Sequence, residues 1–463
     1  MNNIVAMDNI VVMDSIGVMD TIDDLDTIEG MERDAWNISG IKYGGWGSPY
    51  ARYKSRLPSR YSANVRTVAL SGGILQMEIM ASWQRAEPSE RQKEHLAELL
   101  LVLTDLLNKL SPLDNPDGNR YIVDVFGSAA WGGGTGKSGD VDLVIIDTEY
   151  PWGYAPSLWK TPSDVRVVAN ISKSRKLKNP HVPKIYNVHV LRSYLENLTI
   201  VKEARAVPAF TPIVKFKVPH MGFQCDICTN DLGGWYNSAL ILAYCEISPF
   251  VLRPMIHTLK LWLQVHNLND PSGQTGLRSM SSYCLTLMSI AYLQHIGALP
   301  NLQAGVVVPT SADPRIASKD SIWLSWGKEQ GDIAHVWFKR RPPPGWQPRR
   351  PSLTAAEAVR GFFQYFSLLG HDQSYFNPNS QIVSILNGGI SSRRNPVAPR
   401  RGYWRSQYGS DHPGDLWVGK CDVHQPTEWD DQQLIVQDPF LWQKNCAKTL
   451  FIDKQHVRFF KVR

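Results

Sequence analysis

The segment Val123–Asp147 reads VDVFGSAAWGGGTGKSGDVDLVIID, and its Asp140-Val141-Asp142 run limits what the chain can become. In an extended strand, residues i and i+2 share a face. Asp140 and Asp142 therefore project side by side, with Val141 and Leu143 turned the other way into a core. Two like charges held that close repel unless a cation lies between them. Oxygen ligands of this kind suit Mg²⁺, completed by water and phosphate. A Gly-Ser pair, Gly127 and Ser128, precedes the two carboxylates, and a third, Asp226, follows in GFQCDIC. Such a set is a means of holding two divalent cations against a nucleoside triphosphate.

A chain of 463 residues with 43% apolar content predicts two or three packed domains. No run of about 18 apolar residues occurs, so no membrane span is expected. The N-terminus lacks the basic start of a secretory signal. Six cysteines in so long a chain point to a reducing compartment rather than a disulfide framework. The net charge of +6 conceals an asymmetry, because residues 1–35 carry nine Asp/Glu and only Arg33. The rest of the chain is strongly basic, which suits a polyanionic partner such as RNA.

Residues 7–31 repeat with period six, aligning Met7, Met13, Met19 and Met31 and, one place on, Asp8, Asp14, Asp20 and Asp26. So few short repeats do not make a stacked β-helix. Residues 1–35 are read as an acidic low-complexity tail without order, and 36–88 as an irregular arm. Ser89 with Gln92 forms a capping box, and Leu96, Leu99, Leu100, Leu103, Leu107 and Leu110 give a helical stripe after it. Strand-like runs follow at Tyr121–Phe126, Val141–Ile146, Arg166–Ile171, Tyr186–Val190, Ala209–Phe216 and Phe223–Cys228. Helical spacing then takes over at Leu252–Leu263, at Ser281–Ile296 and at Leu353–Leu369. Two basic segments interrupt this half, RRPPPGWQPRRP at Arg340–Pro351 and an insertion at about 391–420.

The Gly-Ser, Asp-x-Asp and later Asp arrangement resembles the DNA polymerase β nucleotidyltransferase superfamily. FQCDICTNDLGGWYNSALI, LRPMIHTLKLWLQVHNLND, LRSMSSYCLTLMSIAYLQ and VQDPFLWQKNCAKTL narrow the resemblance to the template-independent RNA terminal nucleotidyltransferases, the cytoplasmic poly(A) polymerases and terminal uridylyltransferases. The similarity runs from about Ser89 to the C-terminus, the basic insertion excepted. It implies an α+β fold. A polymerase-β-like palm of mixed sheet and helices, residues 89–232, packs on a mostly helical PAP-associated domain, residues 233–463, with the active-site cleft between them.

The resemblance also implies roles by position. Asp140, Asp142 and Asp226 are the catalytic carboxylates and bind two Mg²⁺ or Mn²⁺ ions. Gly127 and Ser128 turn toward the triphosphate of the NTP. Asn237 and Ser238 contact ribose and base, Lys260 and Ser282 reach phosphates, and Tyr283 stacks on the base. Uridylyltransferases often carry a second lysine one turn after Lys260, where Gln264 stands here. They also often carry a histidine shortly after the DPF motif. Lys444 occupies that place, and its ammonium only donates, so it does not choose among bases.

The expected reaction is addition of nucleotides from NTP to an RNA 3′ end with release of pyrophosphate. Adenylyl transfer is preferred, uridylyl or cytidylyl transfer is the alternative, and an inactive RNA-binding scaffold is a further one. The expected partners are RNA, NTP and an RNA-binding adaptor. A monomer is expected, in the cytoplasm or, alternatively, the nucleus. Two decoys fall away. GGGTGKS lacks the first glycine of a phosphate loop, since Trp131 stands there. Cys225 and Cys228, three apart in a strand, face opposite sides and cannot share one ion.

Overall fold

The computed structural model describes residues 73–110, 119–135, 140–151, 153, 183–208, 211–273, 278–305, 321–324, 332–367, 375–393, 404–406, 416–418, 429, 432–442 and 444–450. The acidic repeat, the arm up to residue 72, the expected strand Arg166–Ile171 and most of the basic insertion lie outside them.

The end of the arm is a helix, α1 (Gly73–Ala86), not an irregular segment. It buries Ile79, Met80 and Trp83 while Ile74 and Met77 stay exposed. The Ser89 capping box forms as expected. Ser89 N–H donates to Gln92 Oε1 at 2.9 Å and Gln92 N–H to Ser89 Oγ at 3.3 Å. This starts α2 (Glu90–Leu110), whose leucine stripe is buried from Leu96 to Leu107, with Leu110 half-buried.

The palm follows: β1 (Tyr121–Phe126), a one-turn α3 (Ser128–Trp131), β2 (Asp140–Asp147), α4 (Val188–Glu196), β3 (Lys202–Val207), β4 (Ile213–Val218) and β5 (Phe223–Thr229). The strand order is β1-β2-β5-β4-β3. Only β2 and β5 pair in parallel; the other neighbours are antiparallel. The expected strand at Tyr186–Val190 is a 3₁₀ turn running into α4. The Asn187 side chain caps that helix by accepting from the N–H groups of His189 and Val190. The expected strand Ala209–Phe216 starts later, at Ile213, and β3 precedes it as a largely exposed edge strand. Edge strands carry charge and lose the alternating pattern that marks half-buried ones.

The remainder is mostly helical: α5 (Gly233–Ile247), α6 (Leu252–Val265), α7 (Ser282–His295) and α8 (Ala355–Phe366). Short two-stranded pairs accompany them: β6 (Ser321–Leu324) with β7 (Asp332–His335), β8 (Gln381–Ser384) with β9 (Gly389–Ser392), and β10 (Trp404–Ser406) with β11 (Leu416–Val418). No single helix among the described residues is long and apolar enough to cross a membrane.

Two cores result. One lies between the sheet, α2 and α4, with Leu103, Val125, Leu143 and Ile227 at its centre. The other fills the helical half and takes in Trp131, Val144 and Cys228 from the palm. Cys225 belongs to the first core and Cys228 to the second, so the two thiols lie on opposite faces of β5. Helix α1, although upstream of the palm in sequence, packs on α6 and α8.

Candidate active site

The parallel β2–β5 register sets Asp142 opposite Asp226 and Asp140 opposite Gln224. Cross-strand partners share a face, so the central row of the sheet reads Phe126, Asp142, Asp226, Lys215, Arg205. An aromatic, two acids and two cations thus stand side by side. Asp140 is exposed at the mouth of β2, while Asp142 and Asp226 are half-buried. Burial pushes the Asp142 carboxyl up to about 7, and the Asp226 and Asp140 charges add to the effect against Lys215 and Lys260.

The carboxylates are not gathered into a ready-made cage. Among the described residues no group of three His, Cys, Asp or Glu side chains is set to hold a metal ion. The Lys215 ammonium instead closes on Asp226 Oδ2. Sequence reasoning missed Lys215. The signal was its place in IVKFKV, where alternation turns it to the same face as the acids.

Gly127 has φ +70°, and a Cβ there would collide with the Asp142 carboxylate. Only glycine allows the turn to approach the acid so closely. Its N–H donates to Ser238 Oγ at 2.8 Å, and that hydroxyl donates to Gly234 O at 2.7 Å. Ser238 is therefore buried and engaged in holding the Gly-Ser turn. Ser128 opens α3, and its carbonyl accepts from Gly133 N–H at 2.9 Å.

Helix α6 fastens the glycine-rich loop that follows. Arg253 Nε donates to Trp131 O at 2.9 Å, Lys260 Nζ to Gly133 O at 2.5 Å and Gln264 Nε2 to Thr135 Oγ1 at 3.1 Å. His257 Nδ1 lies 3.4 Å from Gly134 O and its Nε2 3.0 Å from Ser82 Oγ on α1. A carbonyl only accepts, so Nδ1 carries the proton and Nε2 receives the serine hydroxyl. Burial lowers the pKa of His257 and keeps the ring neutral. These four residues fall at i, i+4, i+7 and i+11, one stripe of the helix. Of the four, sequence reading gave only Lys260 a role; a polar stripe through an otherwise apolar helix was the signal for the others. Burial lowers the Lys260 pKa to about 8, opposed by Asp142.

The base-end candidates form a second cluster. Tyr283 Oη donates to Asn237 Oδ1 at 2.9 Å. Burial raises the Tyr283 pKa, and the neighbouring Asp438 raises it further. Asp438 is 1% exposed, and its Oδ2 lies 3.4 Å from Lys444 Nζ. Its Oδ1 accepts from the N–H groups of Phe440 and Leu441, each at 3.0 Å. Burial pulls the Lys444 pKa down, but Asp438 and its neighbours outweigh it and the net shift is upward. Ser282 opens α7 and its hydroxyl donates to Asn269 Oδ1 at 3.2 Å. The adjacent residues Asn237 and Ser238 on α5 therefore join the two clusters. One meets Tyr283 at the base end, and the other meets the Gly127 turn beside Asp142.

A family model described as "Poly(A) RNA polymerase, mitochondrial-like, central palm domain" matches residues 75–246. The curated Poly(A) RNA polymerase GLD2 of Bos taurus is 25% identical over 361 residues, 77% of this chain and 61% of that protein. The chain thus spans about three fifths of that relative's length. A crystal structure of an mtPAP mutant in complex with ATPγS superposes with TM-score 0.51 at 16% identity, covering 86% of this chain and 68% of that one. The Cid1 poly(U) polymerase crystal structure gives TM-score 0.50 at 18% identity, covering 82% and 89%. The palm match and the relative, taken with the order of the motifs, make this chain similar to the template-independent RNA terminal nucleotidyltransferases.

Proposed function

We propose that the chain adds nucleotides from NTP to RNA 3′ ends without a template, adenylyl transfer being the preferred chemistry. The observation that carries this reading is the register that faces Asp142 with Asp226 while Gly127 packs against the same Asp142 carboxylate. A triphosphate-binding turn and the acidic site are thereby one construction. The RNA 3′-oxygen attacks the α-phosphorus, the bond from that phosphorus to the β-bridging oxygen breaks, and pyrophosphate leaves.

Three carboxylates on neighbouring strand positions, one of them pushed to about 7 by burial and its acidic neighbours, fit a divalent-cation site. Asp140, Asp142 and Asp226 would hold two Mg²⁺ or Mn²⁺ ions. When bound, such ions supply acidification of the attacking hydroxyl and neutralisation of the leaving group. Lys260 offers a cation beside the Gly-Ser turn, and Asn237 and Tyr283 offer the sugar and base a polar and an aromatic surface. The helical half, in this reading a PAP-associated domain, presents Lys444 to the base edge with donors alone. Adenine N1 and uracil O4 both satisfy it, so uridylyl transfer is the second reading. Six cysteines in so long a chain support a reducing compartment such as the cytoplasm.

The test is extension of a short RNA by each NTP separately with Mg²⁺ or Mn²⁺. Ladders with ATP that vanish in Asp140→Ala, in a variant that unfolds as the parent does, support the reading. Extension by UTP alone shifts it to the second, and undiminished extension by Asp140→Ala overturns both.

A further inference from the structure

Residues 336–353, VWFKRRPPPGWQPRRPSL, hold five lysines and arginines, five prolines and no acid. Sequence alone reads Arg340–Pro351 as a Pro-rich, basic loop. The structure shows it fastened down. Val336 and Phe338 are buried at one end and Leu353 at the other. Lys339 N–H donates to Leu302 O at 2.7 Å and Arg349 N–H to Gly297 O at 2.9 Å. Gly345 has φ +76°, and the turn there closes with Trp346 N–H on Pro343 O at 3.0 Å. The Arg349 stem lies over Gly297, where a Cβ would strike it.

On this frame Lys339, Arg341, Arg349 and Arg350 are exposed, with Trp346 half-buried among them. Arg360 on α8 is exposed too, and it shares Glu357 with Arg350 as an electrostatic neighbour. One acid against this many cations leaves the patch strongly positive. Prolines and end-to-end anchoring fix the cations before any ligand arrives, which lowers the entropy lost on binding. Guanidinium groups match phosphate oxygens in pairs and also stack on bases. A membrane surface would call for exposed aliphatic side chains among the cations, and the described loop presents none.

The patch also lies at a definite place relative to the proposed site. Tyr283 is near the start of α7, and Gly297, which Arg349 covers, is just past its end. Fourteen residues of helix span about 21 Å at 1.5 Å each. Stacked nucleotides rise about 3.4 Å apiece, so the patch stands roughly six nucleotides from the base end of the site.

We propose that the anchored loop 339–350, with Arg360, is a sequence-independent binding surface for the phosphate backbone of single-stranded RNA upstream of the 3′ end being extended. This rests on the proposed nucleotidyl transfer and names the surface that makes the enzyme prefer long RNA over short.

The test uses the full chain with Arg341, Arg349 and Arg350 all changed to Gln, and a second variant with all three changed to Lys. Binding of a labelled 20-nucleotide RNA is followed by fluorescence anisotropy across a salt series, and extension is measured on that RNA and on a 4-nucleotide primer. Each phosphate contact to a single strand adds about 0.7 to the slope of log K against log salt. The Gln variant should therefore lose about 2 from the slope and raise KM for the 20-mer several-fold, with the 4-mer unchanged. The Lys variant should retain most of the slope. An unchanged slope and KM for the 20-mer, or an equal loss on both primers, overturns the surface. So does a patch that binds a poly-glutamate peptide while RNA affinity stays put. If the parent chain extends neither RNA, the transfer reading fails, and the anisotropy series still decides the surface.

Discussion

Lys215 on β4 and Asp226 on β5 are register partners, and the lysine ammonium closes on the aspartate carboxylate. The lysine stands where a cation bound to Asp226 would place its charge. Lys215→Met should therefore weaken the chelator-treated protein and make it lean more on added Mn²⁺. Both partners are partly solvated, so the loss should be at most about 1 kcal/mol, a drop of about 1 °C in a chain of 463 residues. Calorimetry with EDTA and with Mn²⁺ measures it; identical shifts on adding Mn²⁺ to both proteins would count against the pairing.

Asp142 titrates at about 7, against an ordinary 3.8, because burial and the Asp226 and Asp140 charges disfavour its anion. A folded pKa above the unfolded one means that the folded state binds the proton more tightly. Stability from this group is then full below about pH 4 and is lost as pH rises through about 7. The whole displacement corresponds to no more than about 4 kcal/mol. Chelator-treated protein should lose melting temperature between about pH 4 and 7, Asp142→Asn should flatten that decline, and Mn²⁺ at pH 8 should rescue the parent alone. Parallel pH–stability curves for parent and variant would refute the assignment.

Lys260 holds Gly133 O at 2.5 Å and offsets Asp142. Lys260→Met removes both. A hydrogen bond to a charged group is worth about 1.5–3 kcal/mol, so KM for the NTP should rise by about tenfold or more. Steady-state extension kinetics with varied NTP give the number, and an unaltered KM would remove Lys260 from the phosphate site.

Lys444, held 3.4 Å from Asp438, offers donors only. Lys444→Gln adds an acceptor and should change the ratio of kcat/KM for ATP and UTP by about fivefold, one neutral hydrogen bond. Competition between the two nucleotides in one reaction reads this directly. A ratio that does not move places base choice elsewhere.

Far from the carboxylates, Arg120 grips Asp147 with two bonds of 2.8 Å, and Tyr186 Oη donates to the same aspartate at 3.0 Å. Asp147 is fully buried. Asp147→Ala would take two bonds from the buried guanidinium, which keeps Glu149 at 2.8 Å, and should cost up to about 3–5 kcal/mol, whereas replacing Arg120 by Met and Asp147 by Leu together should cost less. Urea denaturation of the two variants separates these outcomes.

Some of this was legible without coordinates because the cause is local. Asp140 and Asp142 share a face by the two-residue period of a strand. The Ser89–Gln92 box starts α2 because its bonds join residues three apart. The misreadings have local reasons too. Asn187 reads as a strand residue until its side chain is seen capping α4. Helix α1 stays hidden in a Gly-, Trp- and Ser-rich stretch because its buried face, Ile79, Met80 and Trp83, is defined only by α6 and α8.

What the sequence by itself determined is the pair of acids, the glycine turn ahead of them and the helical stripes, all set by spacing along one segment. The tertiary structure alone decided that Asp226 faces Asp142, that Lys215 stands beside it, and that α6 pins the glycine-rich loop. Those relations join segments far apart in the chain, and they follow from strand register and helix packing, which depend on every core residue at once.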